Sequence, residues 1–254
     1  MNDSMDTARR GTFNLRRRMA RQLVEVVGHR APLFGGRADA GLQLRLMLPK
    51  QAYLRPVVLA IPPGGVVVAE PIADQLNAPL DVVVVELLQL PGSTVTNPMG
   101  AIAPGASRLL DPEALRDLSV QPWAPAFLAE SEQDDLARLD GIYRNGRVAL
   151  DLAGRSAIVV DDGLTPSLGL LAAMDSVRCA TPARVILAAP LIADPVRRTL
   201  LEAGIEVVRL AGDDKERAGL GAFLYGEEQA PSEREALSIL KRAARRVPGA
   251  WQRR

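Results

Sequence analysis

Residues 156 to 169 read Ser156-Ala157-Ile158-Val159-Val160-Asp161-Asp162-Gly163-Leu164-Thr165-Pro166-Ser167-Leu168-Gly169: a short apolar run, two adjacent carboxylates, then glycine and hydroxyl residues ahead of a helix. A strand without polar alternation is covered on both faces, which is the condition of a parallel sheet flanked by crossover helices. In open sheets of that kind ligands bind beyond the carboxyl ends of the strands, where loop amides and helix starts converge. The stretch therefore decides the fold class and marks the leading candidate site.

The same pattern recurs outward in both directions. Toward the N-terminus lie Pro56-Val57-Val58-Leu59-Ala60-Ile61 and the segment from Asp81 to Glu86, whose Val82-Val83-Val84-Val85 is apolar throughout; a helix is expected between them from Val67 to Leu76. Toward the C-terminus lie Ala183 to Ala189 and Ile205 to Leu210, separated by an expected helix from Asp194 to Ala203. A polar helix is expected from Pro125 to Tyr143 and another from Ala38 to Leu48, the latter presenting Leu42, Leu44, Leu46 and Met47. Between Leu88 and Leu110 the chain is rich in Gly, Pro, Ser and Thr, with a hairpin expected from Gly100 to Ala103 and Ser107 to Leu110, turning at Pro104-Gly105. The alternation gives an α/β fold with right-handed crossovers and a flap over the sheet.

At 254 residues, 48% of them hydrophobic, the chain has enough apolar surface for one large core. Formal net charge is +1, so no global field demands a nucleic acid or an anionic membrane. The basic residues concentrate at the ends, with Arg9, Arg10, Arg16, Arg17, Arg18 and Arg21 at one and Lys241, Arg242, Arg245, Arg246, Arg253 and Arg254 at the other. Residues Asn14 to Val27 read as a basic amphipathic helix, with Leu15, Met19, Leu23, Val26 and Val27 on one side. The expected division is a basic helical extension over 1–33, the main domain over 34–240 and a basic tail over 241–254. The basic ends are ordinary solvated faces or bind a protein or an anionic partner. No stretch has the roughly 20 apolar residues of a membrane span, and the expected compartment is the cytoplasm.

One histidine, His29, and one cysteine, Cys179, argue against His-based triads, Cys–His pairs and zinc clusters, and rule out an internal disulfide. Catalysis is left to carboxylates, hydroxyls, Lys, Arg and backbone groups. Asp161 and Asp162 repel one another, so a bound polyol or cation compensates them naturally; a magnesium-dependent phosphotransfer site and a helix cap without ligand use the same residues. The turn Ile61-Pro62-Pro63-Gly64-Gly65-Val66 is a second candidate, where two glycines allow close backbone approach; an ordinary tight β-α turn has the same residues.

Together these segments resemble the type I phosphoribosyltransferases, and within them the stand-alone bacterial "predicted phosphoribosyltransferase" group. The resemblance rests on Phe34-Gly35-Gly36-Arg37-Ala38-Asp39-Ala40-Gly41, the Pro62 to Val66 turn, Leu76 to Val84, Gly100 to Ala103, Val159 to Gly163 and Gln229 to Glu235. It implies a parallel-sheet, Rossmann-like core with helices on both faces, a flexible loop or hairpin after the second strand and a small hood. It also implies binding of phosphoribosyl pyrophosphate or a nucleotide, with transfer of the phosphoribosyl group to a nitrogenous base and release of pyrophosphate. Asp161 and Asp162 would hold the ribose hydroxyls as catalytic residues and serve a Mg2+ ion. Gly163, Thr165, Ser167 and Gly169 would form the 5-phosphate loop, and Gly64 and Gly65 the pyrophosphate turn. Relatives of this kind often form homodimers.

The loop departs from the family's usual acidic-acidic-Gly-x-(Ala/Thr)-Thr-Gly-x-Thr. Pro166 deletes an amide donor, Ser167 replaces a glycine and Gly169 a hydroxyl. Each hydrogen bond lost to a charged group is worth about 1.5–3 kcal/mol. Pro63 and Glu86-Leu87-Leu88 stand where the family usually carries positive charge, leaving Arg184 and Lys215 as candidate replacements. Two functions follow from the resemblance: an active magnesium-dependent transferase, or a catalytically lapsed relative serving as nucleotide sensor, regulator or scaffold.

Overall fold

Strand β1 (Val57–Ala60) is buried along its whole length, and its side chains divide alternately between two apolar clusters. Val58 and Ala60 face one side of the sheet and Val57 and Leu59 the other, as the two-residue period of a strand requires. The structure is a computed structural model that describes residues 32–89, 98–106, 108–117, 124–213, 224–226 and 231–251. The helix expected from Asn14 to Val27, residues 90–97 of the expected flap, Ser107 and Lys215 lie outside the described residues.

Helix α1 (Arg37–Arg45) precedes β1; helix α2 (Gly64–Leu76) and strand β2 (Leu80–Val82) follow it. Next come the short strands β3 (Glu86–Leu88), β4 (Gly100–Ile102) and β5 (Leu109–Leu110), and the helices α3 (Pro112–Asp117) and α4 (Ala124–Arg144). The chain continues through β6 (Ser156–Val160), α5 (Ser167–Cys179), β7 (Arg184–Ala193), α6 (Asp194–Glu202), β8 (Glu206–Asp213) and α7 (Glu233–Arg246). The main sheet has the order β2-β1-β6-β7-β8, every neighbouring pair parallel. Leu44 of α1, Ile72 of α2, Tyr143 of α4 and Leu240 of α7 join the cluster on one face. Met174 of α5 and Leu200 of α6 join that on the other.

The expected α/β architecture is thus present, with differences of detail. The second strand ends at Val82 instead of running to Glu86: Val83 still donates to Ala60 (3.0 Å), but Glu86 begins a separate antiparallel sheet, β3-β4-β5. The hairpin turning at Pro104-Gly105 is found, with Gly105 at φ +69°. The helix expected to run to Leu48 ends at Arg45; Ala40 and Leu44 of α1, with Leu48 just beyond it, face the core at four-residue spacing, whereas Leu42 and Leu46 are exposed. Gly41 lets α1 cross α2 closely, since a Cβ there would lie 2.4 Å from the Val68 carbonyl oxygen.

The basic residues from 241 to 246 continue a helix. α7 is capped by the Ser232 hydroxyl, which accepts from the Glu235 amide (3.1 Å), and it buries Ala236, Ile239, Leu240 and Ala243. Arg242 reaches both carboxylate oxygens of Glu70 on α2 (2.8 and 3.0 Å), and Arg246 pairs with Asp74. No helix among the described residues is long and apolar enough to cross a membrane.

A buried ion pair ties α4 to the edge of the main sheet. Asp81 accepts from Arg144, from the Leu150 amide (3.2 Å) and from the Val82 amide (2.9 Å), while Arg144 also reaches the Val82 carbonyl (2.8 Å) and Asp140 (2.9 Å). Removing one member of such a pair leaves the other buried without its countercharge. Asp81→Ala is expected to lower unfolding stability by about 3 kcal/mol, seen as a drop in the urea midpoint at unchanged slope. A loss below about 0.5 kcal/mol, typical of surface changes, would contradict this account.

Candidate active site at the end of β6

β6 is the middle strand of the main sheet, and the chain leaves it at Asp161 with the amide still bonded to the Ala188 carbonyl of β7 (3.1 Å). The turn is held by its own carboxylates. Asp161 accepts from the Gly163 amide (2.7 Å) and from the Thr165 hydroxyl; Asp162 accepts from the Leu164 amide (3.1 Å). Gly163 takes φ +84°, a left-handed conformation that glycine adopts without steric cost. Pro166 then stands at the N-cap of α5 with extended ψ, so Ser167 and Gly169 lie in the helix's first turn.

The two acids differ. Asp161 has no exposed surface, and its proton affinity is pushed up to about 7, first by burial and then by the Asp162 charge, against the opposing hydrogen bonds from Thr165 and Gly163. Asp162 keeps 7% exposure and meets a cation: Arg37 Nε donates to Asp162 Oδ2 at 2.8 Å. The Arg37 guanidinium lies 4.5 Å from the centroid of the Tyr225 ring, and the Tyr225 hydroxyl donates to the Asp162 backbone carbonyl.

The glycine turn closes on the same carboxylate. A Cβ on Gly64 would sit 1.9 Å from Asp162 Oδ2, and one on Gly65 would sit 2.6 Å from the Val160 carbonyl oxygen. Gly64 therefore lets the start of α2 abut the acid, and Gly65 lets the turn lie against the end of β6. The Pro62–Pro63 bond in this turn is cis. Gly169 is buried, and a Cβ there would meet Thr165 Cγ2 at 2.9 Å and Leu87 Cδ2 at 3.3 Å, which packs the first turn of α5 against the acidic loop and β3.

Asp161, Asp162, Gly163, Thr165, Gly64 and Gly65 thus form one cluster; Ser167 stands half-buried at the start of α5, beside it in sequence. Arg184, expected as a replacement positive charge, is not part of it. It starts β7 at the opposite end of the sheet, bonded to the Ala52 carbonyl (3.0 Å) and paired with Glu206. Among the described residues the cation bonded to the acidic pair is Arg37, within the Phe34-Gly35-Gly36-Arg37 stretch whose role the spacing did not assign. The one sequence signal was that stretch itself, an arginine directly after two glycines at a helix start.

Comparison with known proteins gives the chain's relatives. The family described as "Phosphoribosyl transferase domain" matches residues 50–215. "Putative phosphoribosyl transferase" proteins of two Mycobacterium tuberculosis strains are 35% identical over 179 residues, 70% of this chain. The chain spans 40% of the length of those relatives. The crystal structure of TT1426 from Thermus thermophilus is 32% identical with a TM-score of 0.63, covering 82% of this chain and 97% of that one.

Folded Asp161 holds its proton more tightly than the unfolded chain, whose carboxyl titrates near the ordinary 3.8. Its stabilising contribution is full below that value and is lost as pH rises toward and through about 7. The melting temperature of the wild type is expected to fall relative to Asp161→Asn between about pH 4.5 and about pH 8. A difference that stays constant over that interval would show an ordinary carboxylate.

Proposed function

We propose, for a chain that belongs to the phosphoribosyl transferase domain family, that the turn after β6 binds phosphoribosyl pyrophosphate and transfers its phosphoribosyl group to a nitrogenous base. The observation that carries the reading is the acidic pair at the carboxyl end of the middle strand, with the glycine turn of α2 packed against Asp162. Asp162 is the partly exposed acid, and each of its oxygens accepts one hydrogen bond from the protein, leaving capacity for ribose hydroxyl donors. Asp161 shapes the loop from within by accepting from the Gly163 amide, and the amides of the first turn of α5 receive the 5-phosphate. The Gly64-Gly65 turn at the start of α2 receives the pyrophosphate.

The bond from C1 of the ribose to pyrophosphate breaks and a bond from C1 to the base nitrogen forms, with the nitrogen's proton passing to solvent. Charge on the leaving pyrophosphate must be neutralised and water kept from C1. The donor set suits Mg2+, which is commonly held by one or two carboxylates together with the oxygens of a bound phosphate ligand; Asp162, with Asp161 behind it, would supply that carboxylate. Bound there, the ion would stabilise the developing pyrophosphate charge. Such a reaction belongs to nucleotide metabolism in the cytoplasm.

The full burial of Asp161 and the proline at position 166 favour a second reading, a relative that binds the nucleotide ligand without turnover and acts as sensor, regulator or scaffold. Calorimetric titration of phosphoribosyl pyrophosphate with MgCl2, followed by chromatographic product analysis over a set of purine and pyrimidine bases, separates the two. Binding that Asp162→Ala abolishes, with pyrophosphate and nucleotide formed, is the expected result. Binding without product selects the sensor reading, and no binding by the wild type rejects both.

A further inference from the structure

Arg37 opens α1 yet turns its guanidinium inward, leaving 2% of the residue exposed. Its contacts join separate parts of the chain. Nε bonds Asp162 Oδ2, 125 residues away; the same nitrogen lies 3.1 Å from where a Cβ of Gly64 would stand; and the guanidinium covers the Tyr225 ring. Tyr225 closes the circuit through its hydroxyl, which donates to the backbone carbonyl of Asp162. One planar cation therefore touches the acid's carboxylate, the start of α2 and the 224–226 segment together.

A buried ion pair of this kind is poor at raising stability, because the desolvation of both groups offsets most of their attraction. It is good at fixing geometry. A guanidinium can bond a carboxylate in its plane while an aromatic ring lies against its face, which an ammonium cannot reproduce. Among the described residues the Asp162 carboxylate has no other side-chain donor, so without Arg37 its orientation would be left to the Leu164 amide alone.

We infer that Arg37 is a positioning residue of the site: it holds the Asp162 carboxylate against the glycine turn and, through the Tyr225 ring, ties the C-terminal segment to it before ligand arrives. The inference rests on the phosphoribosyl reading of the acidic turn. In that setting Arg37 acts through Asp162. A carboxylate already aimed at the ribose hydroxyls avoids the ordering cost of being aimed on binding.

The test uses the full chain, with Arg37→Lys and Arg37→Ala measured by calorimetric titration with phosphoribosyl pyrophosphate in MgCl2 and by thermal unfolding. Arg37→Lys is expected to melt within about 4 °C of the wild type while binding about tenfold or more weakly. Millimolar methylguanidine is expected to restore binding to Arg37→Ala while raising its melting temperature by no more than about 2 °C. Wild-type affinity in either variant overturns the inference. So does a loss of affinity that follows the melting temperature and that methylguanidine leaves unchanged, since that is the signature of a merely structural arginine. A wild type that binds no phosphoribosyl pyrophosphate overturns the underlying reading instead, and is told apart because the variants then have no affinity to lose.

Discussion

Two carboxylates next to each other at the end of a buried strand form the constraint around which this molecule is arranged. Neither can be left bare in the interior, and each repels the other. The chain meets the problem in two ways. Asp161 is satisfied locally by the amide and hydroxyl of residues that follow it, and holds its proton more tightly than an exposed acid would. Asp162 is satisfied from a distance, by an arginine on another element. The position of α1, the left-handed turn at Gly163 and the missing side chain at Gly64 all serve those two solutions.

A second buried pair shows what the first one is not. Asp81 and Arg144 are surrounded by backbone partners and by Asp140, and their effect is to fasten α4 to β2. Around Asp162 the protein donors come from α1, the loop itself and Tyr225, and the residue retains a little exposure. The same chemistry of charge in a low dielectric thus fastens a helix to a sheet edge in one place and holds a carboxylate that keeps a little exposure in the other.

Much of this was legible in the chain. Val57–Ala60 and residues 157–160 are apolar on both faces, as strands of a sheet covered on both sides are; the acidic pair stood out because two adjacent carboxylates repel and call for a compensating partner. The hairpin followed from Pro104-Gly105. The break after Val82 was not legible, because an unbroken valine run carries no mark of where the chain leaves one sheet for another. Local periodicity also misread the exposed Leu42 and Leu46, since it counts apolar residues without knowing which neighbour each will meet. Arg37 was visible as a letter and invisible as a partner: its contact with Asp162 spans 125 positions, and no short-range pattern carries information over that length.

The fit between Gly64 and Asp162 has a historical consequence. A Cβ at 64 and an aspartate-sized side chain at 162 cannot coexist in this geometry, so the glycine records the reach of residue 162. In any lineage that kept the fold but exchanged the acid for a smaller residue, position 64 would be released to accept alanine or serine. The two positions should then drift as a pair, and the order of change would be fixed, with the acid departing first.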